Sequence, residues 1–183
     1  MFINKIIDYL KPYTGKKQVL ISVVLLVLIE VLFVFFIVPS VQLSSGGYGL
    51  IDSLLFASEQ EYISLFNAYT SETRLLHYLS TSLDMILPFV YGFLIASVMI
   101  RYSNSTVLLK SGIILTLLAV IFDYAENIGI LFSISHNQHI NTSLIRYLQI
   151  TTSLKFIFLG LNVVVLTWML ITKIKKAIKC KKP

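Results

Sequence analysis

Asp123, Glu126 and Asn127 stand inside the apolar run from Ser111 to Ser133, a length that crosses a bilayer as a helix. At i, i+3 and i+4 their side chains share one helical face. A carboxylate is costly in hydrocarbon, so two on one face are expected to look at protein or at a water-filled cavity. Paired carboxylates in a dry site suit general acid–base work or the orientation of a ligand, and Asn127 beside them suits hydrogen bonding.

Other polar residues fall at a similar depth. A helical rise of roughly 18 Å from Ser111 puts Asp123 just past the membrane midplane, with Glu126 and Asn127 nearer the outside. Lys155 lies about two turns into the last apolar run, near the level of Glu126. Such a lysine either snorkels to the interface or pairs across the helices. Pairing with Glu126 or Asp123 is the expectation, because two buried carboxylates need a counter-charge. Glu30 sits in the outer half of the first apolar run, and Asp84 at the outer boundary of the second. Arg74 and Tyr91 flank Asp84 as candidates at the mouth. Glu30, Asp84, Asp123, Glu126, Asn127 and Lys155 thus converge on one outward-opening polar pocket, drawn from four segments.

The elements that must position these groups follow from composition. Of 183 residues 56% are hydrophobic and only 13% charged, with a mean hydropathy of +0.82. This is the profile of a single membrane domain. The expected architecture is all-α: an up-down bundle of four transmembrane helices over 18–39, 84–102, 111–134 and 148–172. Residues 1–17 carry a short amphipathic helix expected at the cytoplasmic interface. Residues 40–83 form an external loop with amphipathic helices, and 173–183 a basic tail. Ser58 and Glu61 have capping-box spacing, and Pro39 is expected to close the first span. Asp52, Glu59, Glu61 and Glu72 suit a solvated outer face, and Gly92 a close helix contact.

Charge fixes the orientation. Of the fifteen Lys and Arg residues, all but Arg74, Arg146 and Lys155 fall on one side of a four-span arrangement. By the positive-inside rule both termini are cytoplasmic. The net charge of +6 is therefore a topology signal and points away from nucleic acid. Cys180 is the single cysteine, so no internal disulfide forms.

Three chemistries could use the pocket. Acid–base work or binding of a lipid-like or small amphipathic molecule fits the carboxylate pair best. A proton- or cation-coupled transporter is a second use, though four spans without an internal repeat argue against a monomeric one and leave a homodimer open. Metal ligation by His77, His136 or His139 has little support, since no His-x-x-x-His spacing occurs, and no cofactor is expected. The alternative to all three is a structural or regulatory subunit whose buried network only fixes helix register.

The pattern Asp84-x-x-x-Pro88-x-x-Tyr91-Gly92, then Asp123-x-x-Glu126-Asn127, then Lys155 resembles a family of uncharacterised prokaryotic four-helix integral membrane proteins. The likeness covers roughly residues 50–160 and implies the same topology and site, without naming a chemistry. A weaker similarity is to the emopamil-binding-protein and sigma-2-receptor type, which holds acidic residues in a membrane cavity for sterol-like ligands.

Overall fold

The computed structural model describes residues 2–55, 57–103, 105–135 and 140–179, with side chains as far as Lys175. Every regular element among them is helical. Helix α1, Phe2–Leu10, gathers its apolar residues on one face and buries none of them fully. It ends in a 3₁₀ turn at Lys11–Tyr13, where Pro12 removes a donor and the Thr14 hydroxyl donates to the Lys11 carbonyl at 3.0 Å.

Four stretches are long and apolar enough to cross a membrane: Lys16–Ser44, Ser71–Tyr102, Thr106–Ser135 and Thr142–Lys175. The first consists of α2 (Lys16–Leu32), a π-helical segment at Phe33–Ile37, and α3 (Val38–Ser44). Pro39 does not close it, contrary to expectation. The π segment widens the helix just where the proline ring would collide with the preceding turn. The Ser40 hydroxyl meanwhile donates to the Phe36 carbonyl at 2.7 Å.

The second stretch is α5 (Ser71–Asp84) and α6 (Leu87–Tyr102), separated only by Met85 and Ile86. Pro88 lies in the first turn of α6, where a missing N–H costs nothing, and leaves the Asp84 carbonyl, four residues earlier, without a helical donor. Asp84 therefore sits in the last turn of α5. A side chain from another helix donates a hydrogen bond to its carboxylate.

Helices α7 (Thr106–Ser135) and α8 (Thr142–Lys179) follow. Helix α7 packs against α5, α6 and α8 and is the centre of the bundle. Small residues allow this. A Cβ at Gly129 would lie 2.5 Å from Tyr147 Cε1 and 3.0 Å from Leu148 Cδ2, and one at Gly92 would lie 2.6 Å from Val120 Cγ2. Tyr147 also donates its hydroxyl to the Ala125 carbonyl at 2.7 Å. Deeper along the same pair of helices, the Thr116 hydroxyl lies 3.0 Å from Asn162 Oδ1, both buried.

Helix α4 (Glu59–Ala68) is started by the expected capping box. Ser58 donates its N–H and hydroxyl to Glu61 at 2.6 and 2.7 Å, and these bonds hold the Glu61 carboxyl below the usual range. Its inner face, with Tyr62, Leu65 and Phe66, joins Tyr69 against Ile130, Ile134, Ile145 and Leu148. This apolar cluster fixes the loop onto the ends of α7 and α8. A smaller one, Phe33, Val41 and Leu50 with Leu76 and Leu83, ties the first stretch to α5.

Candidate functional site

Helix α7 presents Asp123, Glu126 and Asn127 on one face, as their spacing requires. One turn of α8 presents Thr152 and Lys155 opposite them. Lys155 is only 8% exposed, and its ammonium forms an ion pair with Glu126, which is 0% exposed. The same ammonium lies 3.7 Å from Asp123 Oδ1. The Thr152 hydroxyl donates to Glu126 Oε1 at 2.5 Å, and the Tyr91 hydroxyl of α6 donates to Asp123 Oδ2 at 2.9 Å. Asn127 Nδ2 donates to Asp84 Oδ2 at 2.9 Å. Three helical stretches are thus linked through two carboxylates on α7, one on α5 and a single lysine.

Beside this network lies a cavity of about 330 Å³. Asp84, Tyr91, Asp123 and Lys155 line it, Glu30, Phe33 and Val34 form the wall from α2 and the π segment, and Phe156 and Leu159 the wall from α8. Leu50, Asp52 and Ser53 bound it at the loop end. Arg74 is not among its lining residues. The guanidinium instead reaches the Phe66 and Tyr69 carbonyls at 3.4 and 3.5 Å, terminating α4. His77 is buried edge-on to Tyr69, 5.5 Å between ring centroids, with Nδ1 unpartnered among the described residues. Those residues contain no group of three His, Cys, Asp or Glu able to hold a metal. His136 and His139 lie outside them.

Two participants escape a reading of the chain alone. Thr152 was legible in principle, since it precedes Lys155 by three residues and shares its face. Asp52 was expected on a solvated face, and the structure corrects this. It belongs to a 3₁₀ turn, Ile51–Ser53, that docks on α7 through the buried Ile51. The residue is half-buried, and its Oδ1 is sealed from solvent with no hydrogen-bond partner among the described residues.

Burial pushes the Asp52 carboxyl from an ordinary 3.8 up to about 6; Lys155 opposes the rise, while Glu126 and Asp123 add to it. Asp84, Tyr62 and Tyr69 also face it. An acid with a raised folded value favours the folded state while protonated. The benefit is complete below about pH 4 and disappears as pH rises through 6, a difference of about 3 kcal/mol at most. Asp52→Asn is therefore expected to raise the melting temperature at pH 8 and leave it almost unchanged at pH 4. Thermal melts in detergent at the two pH values check this, and equal effects at both would contradict the burial of Asp52.

No family model, curated protein or solved structure matches this chain.

Proposed function

We propose that the chain is an up-down four-span protein of a prokaryotic plasma membrane, of the uncharacterised four-helix type its motifs resemble, with both termini cytoplasmic. Its polar cavity, in the outer half of the spans, binds a lipid-like or small amphipathic molecule. The observation that carries this reading is the cavity beside a network of charged side chains, with an apolar wall on either side. A purely packing role for the charges would leave no reason for space next to them, because interiors close-pack. Asp123 orients the bound molecule or exchanges a proton with it, while Glu126, fully buried and outside the cavity lining, acts only through Lys155. Lys155 balances them, Tyr91 and Asn127 fix the carboxylate orientations, and Asp84 and Glu30 meet the molecule at the edges of the cavity.

One observation favours the structural reading. Thr152, Tyr91, Asn127 and Lys155 supply the acidic groups with partners, as a network that only sets helix register would require. The readings separate under Asp123→Asn. For a binding site, the variant folds and loses the thermal stabilisation given by added lipid extract. For a structural network, it lowers the melting temperature and leaves the lipid-dependent increment intact.

A further inference from the structure

We infer that the occupant of the cavity is an amphiphile with a cationic, amine-type head, received from the bilayer through a slot between α2 and α8. The inference rests on the amphiphile reading above and adds the charge of the head and its route.

Charge around the cavity is out of balance. Glu30, Asp52, Asp84 and Asp123 line it, and among the described residues Lys155 is the one cation that does so. Lys155 is already taken by Glu126, which has no exposure of its own. At 3.7 Å from Asp123 Oδ1 the ammonium is beyond hydrogen-bonding distance. Among the described residues that oxygen is paired with Lys155 by charge alone and accepts no hydrogen bond, and none reaches Asp84 Oδ1. Asp123 and Asp84 are both more than nine-tenths buried. The cavity therefore holds spare acceptors, while the donors that line it, Lys155, Tyr91 and Ser53, are directed to Glu126, Asp123 and the Leu50 carbonyl.

A phosphate or carboxylate head would bring like charge against like and is rejected. A neutral hydroxyl donates one hydrogen bond and leaves the charge in place. An ammonium supplies three donors and a positive charge at once. A bare metal ion fits less well, because the acidic groups are spread along the cavity and form no three-ligand cluster among the described residues.

The route follows from which edges are open. At the loop end, Leu50 and Ile51 are buried and pack the turn that carries Asp52. Along the side, Val34 is 57% exposed and Phe156 41% exposed, on opposite walls. Both belong to stretches that cross the membrane in the proposed topology, so this edge meets lipid tails rather than water. Glu30 is exposed at the same edge and has no side-chain partner among the described residues. In residues 23–32, otherwise all Leu, Val and Ile, it would be costly without a function. It is the first carboxylate an arriving ammonium meets. The tail then remains in the slot between Val34 and Phe156.

The test uses the full chain in lipid nanodiscs with three nitroxide-labelled probes of one chain length: stearylamine, stearyl alcohol and stearate. Electron paramagnetic resonance reads the fraction of each probe whose motion is restricted by the protein. The amine is expected to associate at least about tenfold more strongly than the alcohol, the ratio given by one hydrogen bond to a charged group, and stearate least of all. Glu30→Gln, at an exposed position that folding does not use, is expected to reduce the preference for the amine. Val34→Trp, which fills the slot, is expected to reduce association of all three probes, whatever the charge of the head. Equal restriction of all three heads would overturn the cationic assignment and leave the amphiphile reading standing. No restricted component with any head would overturn that reading itself. Undiminished association of the amine in Val34→Trp would overturn the slot, and an undiminished amine preference in Glu30→Gln would overturn the role of Glu30 at its edge.

Discussion

Lys155→Met is expected to destabilise the protein by about 3–5 kcal/mol, the loss that follows when one partner of a buried ion pair is removed. Methionine preserves most of the side-chain volume, so the loss reports charge rather than packing. It would leave Glu126, fully buried, with only the Thr152 hydroxyl, and Asp123 with only the Tyr91 hydroxyl. Adding Glu126→Gln to Lys155→Met removes the stranded charge and is expected to restore part of the stability. Denaturant titration of the two single variants and the double variant gives the coupling between the residues, expected to be up to about 3 kcal/mol. A loss below about 1 kcal/mol for Lys155→Met, typical of exposed pairs, would mean that the ammonium does not reside between these carboxylates.

Tyr62→Ala is expected to cost a comparable amount, about 3–5 kcal/mol, by opening a cavity where a large aromatic ring is fully buried. The residue carries more than packing. Burial pushes its phenol up, opposed by Thr152, while the Glu126 carboxylate adds to the rise. Its hydroxyl reaches the Leu54 carbonyl only at 3.5 Å, a weak contact. Tyr62→Phe should therefore be mild while Tyr62→Ala is severe. Hydrogen exchange adds a spatial readout: in Tyr62→Ala the amides of α4 lose protection before those of α7. Uniform loss across both helices would show that α4 is not an attached cover but part of one cooperative unit.

Four apolar stretches were legible because hydropathy acts over windows as long as a bilayer is thick. The grouping of Asp123, Glu126 and Asn127 needed only helical periodicity, and their approach to Lys155 needed only depth matching between neighbouring helices. What stayed hidden depends on contacts between residues far apart in the chain. Asp52 reads as a surface acid in a loop, and only the docking of Ile51 against α4 and α7 takes it out of water. Arg74 reads as a group for a binding site, yet the carbonyls exposed at the end of α4 draw it away. Pro39 reads as a terminator, and a π segment absorbs it, because helix termini depend on whether the chain can relax locally.

The account depends above all on an ammonium held between carboxylates of a neighbouring helix. Solid-state NMR in lipid bilayers tests it through dipolar recoupling between the Lys155 side-chain nitrogen, labelled with ¹⁵N, and the Glu126 and Asp123 carboxyl carbons, labelled with ¹³C. The account gives strong dephasing from Glu126 and a weaker contribution from Asp123, whose Oδ1 lies 3.7 Å from the nitrogen. A lysine signal with no dephasing from either carboxyl, its ammonium having snorkelled to the headgroups, would contradict it.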